Sequence, residues 1–215
     1  MENEFIKREL EKYEITKPIY TDTLAKKYAA AFGVDLEEAK KIVKQDLEAE
    51  MGNKTFNLRK YRDGIYYLTE QTPLGELEID TDTIKKDKYL SGFNGYRTGP
   101  DLLNRIGLCT MLPREEWYAT NNIDKPEIHD KEFCCCLIRP KTRITKDNYR
   151  YLQILDAVEW KNEGFYDVPE PNEKLNNIIN ELCLDKKKLI KFADQYYDVN
   201  VRKEIRVILR GNNEL

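Results

Sequence analysis

Six cations and a glutamine, set on two successive segments, are the residues of this 215-residue chain best suited to do chemistry. Lys40, Lys41, Lys44 and Gln45 recur at helical spacing, so one helix face can carry all four. Arg59, Lys60 and Arg62 follow in a run of strand-forming residues, and between Lys54 and Arg62 there is no acid. Ammonium and guanidinium groups so arranged neutralise phosphates, and a glutamine can hydrogen-bond a base edge. The chemistry implied is recognition of double-stranded DNA. A lysine-rich helix face is also the ordinary surface of a solvated helix, and Glu37, Glu38 and Glu48 dilute this one.

Other reactive side chains are less well placed. Asp80 and Asp82 have a spacing that could hold a cation, but Asp and Thr at a helix start are better read as caps. With Asp101 they are the acids an enzyme would use. No paired carboxylates, Cys–His pair or phosphate loop sits in a context that catalysis requires. The five cysteines are Cys109, Cys134, Cys135, Cys136 and Cys183. None forms a C-x-x-C pair, and His129, five residues before Cys134, is the only histidine. Neighbouring strand residues point to opposite faces, so Cys134, Cys135 and Cys136 cannot converge on one metal. A disulfide framework and a zinc site are both unexpected. Gly92 to Gly99 lacks the strand and helix context of a dinucleotide-binding loop. No catalytic, cofactor-binding or metal residue is assigned, and no enzyme is expected.

The elements that must position the cations are legible in order. Glu4 to Glu14 reads as a helix broken by Thr16-Lys17-Pro18. Thr21-Asp22-Thr23 supplies cap residues for a second, with Leu24, Ala25, Tyr28, Ala29 and Phe32 on one face and Gly33 as its stop. Asp35 caps a third, with Glu38 completing a capping-box pattern and Leu36, Ala39, Val43, Leu47 and Met51 facing inward. Thr55–Tyr61 and Ile65–Leu68 are β-rich and flank Asp63-Gly64, a strong hairpin signal. Three helices followed by a basic hairpin predict a winged helix-turn-helix over residues 1–70. Its charges nearly cancel, 13 Lys+Arg against 14 Asp+Glu, so attraction to DNA depends on which face the bases occupy.

Gln71 to Gly75 reads as a linker. Residues 76–215 then mix elements: a helix from Thr83 to Leu90, a turn and short strand before Pro100, a helix from Asp101 to Ile106 stopped by Gly107, a strand at Trp117–Thr120 and a buried strand at Phe133–Ile138. The end is helical: one helix from Tyr149 to near Gly164, a second after Pro169-Glu170-Pro171, a third capped by Asp185, and a fourth through Val201, Ile205, Ile208 and Leu209. Residues 211–215 read as a frayed tail. The fold class expected is α+β: an N-terminal winged helix-turn-helix, then a mixed α/β domain ending in a helical segment.

Composition agrees with two packed domains. Hydrophobic residues make up 40% and charged residues 35%, with a net charge of −3. That balance excludes wholesale coating of nucleic acid and leaves only a local patch to bind it. There is no apolar run of membrane-spanning length and no leader pattern at Met1–Phe5, so a reducing cytoplasm is the expected compartment.

Several short segments resemble the AbiEi-type antitoxins and related transcriptional regulators. Arg62-Asp63-Gly64-Ile65-Tyr66 resembles the end of their wing. Tyr96-Arg97-Thr98-Gly99-Pro100-Asp101-Leu102-Leu103-Asn104-Arg105-Ile106-Gly107-Leu108, with Pro113 before the Trp117–Thr120 strand, is similar to the segment that follows. Leu152–Ala157 and Leu189–Tyr196 resemble their C-terminal helices. Each match is short; their order and spacing, from about residue 20 to 210, carry the resemblance. It implies an antitoxin of a type IV (abortive infection) toxin–antitoxin pair. The winged helix would repress its own operon by binding upstream inverted repeats, through Lys40, Lys41, Lys44, Gln45, Arg59, Lys60 and Arg62. Residues 76–215 would be an α+β antitoxin-like domain that counteracts a nucleotidyltransferase-like toxin without requiring a stable complex. A homodimer on a palindromic site is the expected assembly. The alternative is a protein-interaction module whose winged helix does not bind DNA.

Overall fold

The protein is α+β. A computed structural model describes residues 2–53, 55–162 and 166–210, and divides the chain into two compact units, Met1–Ile84 and Lys85–Leu215. Lys54, the helix end expected near Gly164 and the tail at 211–215 lie outside the described residues. No helix among the described residues is long and apolar enough to cross a membrane.

The first unit begins with α1 (Glu2–Leu10), β1 (Pro18–Tyr20), α2 (Thr21–Phe32) and α3 (Leu36–Asn53). It continues with β2 (Leu58–Arg62), β3 (Ile65–Leu68), the two-residue strands β4 (Gln71–Thr72) and β5 (Gly75–Glu76), and the start of α4 (Thr81–Tyr89), which leads into the second unit. Helix α1 stops four residues before the expected Glu14, because the chain tightens into three-residue turns at Lys12 and Tyr13. Helix α2 begins at Thr21 itself with Tyr20 as N-cap, so the run of capping residues lies inside its first turn and makes no side-chain cap. Gly33, at φ 70°, closes it with an N–H bond to the Ala29 carbonyl of 2.9 Å. Asp35 caps α3 as its sequence indicates: its Oδ1 accepts from the backbone N–H of Glu37 at 2.8 Å and of Glu38 at 3.1 Å. Such a cap contributes about 1 kcal/mol.

The helical periodicity of the sequence reappears as burial except at the ends facing the α2–α3 turn, where Phe32 and Leu36 are exposed. Leu24, Ala25 and Tyr28 of α2 and Ala39, Val43 and Leu47 of α3 pack with Ile6, Leu10, Ile19, Leu58 and Tyr66 in one core. Each fully buried leucine there contributes roughly 2 kcal/mol. Strand β3 lies between β1 and β2 and pairs antiparallel with both. The Asp63-Gly64 turn is present, with Gly64 at φ 79°, and Tyr61 bulges out of register. The stretch expected as a linker forms the β4–β5 hairpin, tied to the strands by the Thr69 hydroxyl on the Leu77 carbonyl at 2.7 Å.

The second unit is built on a four-stranded sheet, ordered β6 (Gly95–Arg97), β7 (Glu116–Thr120), β9 (Cys135–Ile138), β8 (Glu127–Asp130). Only β7 and β9 run parallel. Helix α5 (Gly99–Arg105) follows β6, with Pro100 in its first turn. Gly95 is obligatory, since a Cβ there would lie 2.1 Å from the Tyr89 carbonyl oxygen. The expected strand at Phe133–Ile138 starts two residues late. Asp130 accepts the N–H groups of Glu132 and Phe133 in a tight turn, leaving Cys134 exposed at φ 47° while Cys135, Cys136 and Leu137 are buried in the strand. Helices α6 (Tyr149–Asn162), α7 (Pro171–Glu181), α8 (Lys186–Tyr196) and α9 (Val199–Arg210) complete the unit, and Asp185 caps α8. Their apolar stripes, including Leu152, Leu155, Leu175, Ile179, Leu189, Ala193, Val201 and Ile205, merge in one core.

That core encloses a carboxylate. Asp156 of α6 accepts hydrogen bonds from the hydroxyls of Tyr96 at 2.9 Å, Thr98 at 2.9 Å and Tyr197 at 2.6 Å, joining the sheet to three helical segments. Burial outweighs these donors and pushes Asp156 up to about 6. The folded state therefore keeps a proton that the unfolded chain loses near its ordinary 3.8, so stability falls as pH rises between those values. The difference corresponds to roughly 3 kcal/mol. Urea unfolding of the second unit should show wild type losing up to about that much relative to Asp156→Asn between pH ~4 and pH ~7. A constant gap across this range would contradict the assignment.

Candidate nucleic-acid interface

The seven residues singled out by the sequence all belong to the first unit, but they do not form one surface. Lys40, Lys41, Lys44 and Gln45 lie on α3, away from the buried Ala39, Val43 and Leu47. Lys60 on β2 stands opposite Tyr66 on β3, with its Nζ 5.8 Å from that ring's centroid. Its partners are Glu48 of α3 at 3.7 Å and Asp63 of the hairpin turn at 3.3 Å. Lys60 thus joins the α3 side. Arg59, one residue earlier, must point the other way, as consecutive strand residues do. It pairs with Glu76 of β5 at 2.8 Å. Arg62 lies beside the Tyr61 ring, 5.9 Å from its centroid.

The cations are heavily compensated. Lys44 donates to Asp63 at 2.8 Å, and Asp63 receives Lys60 as well. Lys40 pairs with Glu37 at 3.2 Å and with Asp22 of α2 at 3.5 Å. The two lysines hold the Asp63 carboxyl below the ordinary carboxylate range. Lys41 and Gln45 are exposed, and their side chains make no hydrogen bond or ion pair among the described residues. Four of the six cations, Lys40, Lys44, Arg59 and Lys60, are in direct contact with five carboxylates: Asp22, Glu37, Glu48, Asp63 and Glu76. The arrangement can still meet phosphates, because exposed ion pairs exchange readily with other charges. It cannot act as a strongly positive patch that draws in any polyanion from a distance.

Sequence reasoning found the acids on α3 but missed Asp22, Asp63 and Glu76 as partners. These come from other elements and reach the cations only through tertiary packing. The hairpin register carried a usable signal, since alternation along β2 alone separates Arg59 from Lys60.

Two of the three acids considered for catalysis, Asp80 and Asp101, are held in caps and ion pairs. Asp80 caps α4, accepting from the Thr83 N–H at 3.1 Å and hydroxyl at 2.7 Å, and it pairs with Lys17 at 2.7 Å. That pairing holds its carboxyl far below the ordinary range. Asp101, in the second unit, is buried and bridges Arg97 at 2.8 Å and Arg105 at 2.9 Å. Glu116 takes Lys85, Arg97 and the Tyr118 hydroxyl; burial raises its pKa, but these three outweigh it and bring it to about 2.

No protein-family model and no curated protein matches the chain.

Relieving the compensation should expose the underlying attraction. The double variant Asp63→Asn, Glu48→Gln keeps a turn-forming Asn-Gly sequence and releases Lys44 and Lys60. On duplex DNA, fluorescence anisotropy should show tighter binding and a log–log salt slope steeper by up to about two. An unchanged slope would place DNA elsewhere.

Proposed function

We propose that the first unit is a winged helix and that the protein is a DNA-binding regulator rather than an enzyme. The observation that carries this reading is the order α1, β1, α2, α3, β2, β3, with β3 central in the sheet and the β2–β3 hairpin beside a helix whose outer face bears Lys41 and Gln45. In helix-turn-helix proteins such a helix enters the major groove and reads base edges. Here α3 is that helix, and the hairpin carrying Lys60 and Arg62 follows the phosphates. With its charge nearly balanced, the surface must derive affinity from fitted contacts more than from bulk attraction. The site would be the inverted repeats upstream of the protein's own gene, bound by a homodimer. The further role, antitoxin to a nucleotidyltransferase-like toxin through the second unit, rests on the resemblance to AbiEi-type antitoxins alone.

A second reading is favoured by one observation, the five carboxylates among the cations. Under it the winged helix is a protein-interaction module that does not bind DNA. Salt-sensitive DNA binding with base preference separates the two.

Lys41→Glu combined with Gln45→Ala changes two exposed side chains of α3, neither with a partner among the described residues, without touching the core. Affinity for the upstream DNA should fall at least about tenfold, with an unchanged circular dichroism spectrum. Full retention of affinity and sequence preference in this variant would exclude α3 as the reading helix.

A further inference from the structure

A second cluster, unrelated to the cations of α3, lies at the open edge of the sheet in the second unit. Strand β8 is the edge strand, and its register with β9 places His129 directly opposite Cys136. Glu127, two residues before His129, lies on the same face by strand alternation. Glu115, immediately before β7, approaches from across β9. The Nδ1 of His129 is 3.3 Å from the Glu115 carboxylate, and its Nε2 is 2.8 Å from Glu127 Oε1. One donor atom each from Glu115, His129 and Cys136 fall within 4.8 Å of one another.

We propose that Glu115, His129 and Cys136 bind one divalent transition-metal ion of the zinc class, with Glu127 positioning the histidine. The donor set of thiolate, imidazole and carboxylate is the one zinc selects, and magnesium or calcium would not take a buried sulfur. The spacing fits as well. Two light-atom ligands at zinc bond lengths and a tetrahedral angle stand about 3.3 Å apart, which is the His129–Glu115 separation. Glu127 supplies what a ligating histidine needs on its other nitrogen, a carboxylate that accepts the remaining ring N–H and fixes the tautomer. Three protein ligands leave a fourth position for water.

Charge supplies an independent argument. Elsewhere on this sheet carboxylates are matched by fixed cations: Glu116 by Lys85 and Arg97, and Asp130 by Lys88. Among the described residues Glu115 and Glu127 have no lysine or arginine partner, and both converge on His129 and the buried thiol. A bound dication would meet thiolate and carboxylates together. The sequence hides this site. His129 lies seven residues from Cys136 and fourteen from Glu115, and only the β8–β9 turn and the β7–β9 pairing bring the three together.

The test is a Co²⁺ titration of the full chain, reduced and stripped with chelator. One equivalent should produce a near-ultraviolet thiolate-to-cobalt charge-transfer band, which stoichiometric Zn²⁺ then removes. The band should be lost in Cys136→Ser and persist in Cys134→Ser and Cys183→Ser, whose thiols are exposed. His129→Ala, at an exposed edge position, should abolish it without disturbing the fold. Glu127→Gln should weaken affinity about tenfold to a hundredfold while keeping the band, as a positioning residue does. Absence of the band in wild type, its survival in His129→Ala, or its loss in Cys134→Ser would overturn the proposal.

Discussion

Strand β3, four residues long, is the constraint on which the first unit depends. Ile65 to Leu68 pair on one edge with β1, which precedes the α2–α3 pair, and on the other with β2, which follows it. The sheet therefore closes around the two helices, and Leu58, Tyr66 and Ile19 bury against them. The same register decides the chemistry of the surface. It sends Lys60 toward α3 and Arg59 toward β5, so adjacent basic residues end on different faces. The bulge at Tyr61 increases the local twist of the hairpin just before Arg62.

A surface so arranged has particular physical consequences. The pairs Lys44–Asp63, Lys60–Glu48 and Lys40–Asp22 connect the hairpin and α2 to α3 through exposed contacts that exchange readily with other charges. On the proposed reading, phosphate would displace carboxylate at each of them. Long-range steering is weak when charges balance, and discrimination then falls to short-range contacts such as those Lys41 and Gln45 can make. The second unit treats charge differently. Asp156 sits inside its core, satisfied by three hydroxyls, and the ion pairs on its sheet enclose Glu116 and Asp101. Among the described residues, it is at the β8 edge that carboxylates, imidazole and thiol meet without a lysine or arginine partner.

Local signals in the chain are read well and non-local ones poorly. The spacing of Leu24, Ala25 and Tyr28, and of Ala39, Val43 and Leu47, announces two helices and their inward faces, because 3.6-residue periodicity is a property of the segment itself. Asp35 and Asp185 announce caps for the same reason, and Asp63-Gly64 announces a turn. Strands β1 and β8 escape notice. Pro18-Ile19-Tyr20 and Glu127–Asp130 are too short for alternation to register, and each exists because of a partner strand distant or reversed in sequence. The candidate interface divides along the same line. Which residues are basic, and that α3 presents Lys41 and Gln45 outward, can be read directly. That Asp22, Asp63 and Glu76 neutralise their neighbours cannot, since those contacts are made only when α2, the hairpin and β5 are assembled. The meeting of His129 with Cys136 is likewise a product of register, and Cys134, the nearer cysteine in sequence, is turned out to solvent.

The most direct measurement of the central claim is fluorescence anisotropy of the full-length chain on the DNA immediately upstream of its own gene, titrated with salt alongside scrambled DNA of equal length. A winged helix that reads DNA through α3 should bind the upstream segment in preference, with a log–log slope corresponding to about three to five phosphate contacts per chain. Equal and weak binding to both DNAs at every salt concentration would contradict it and leave the first unit as a protein-interaction module.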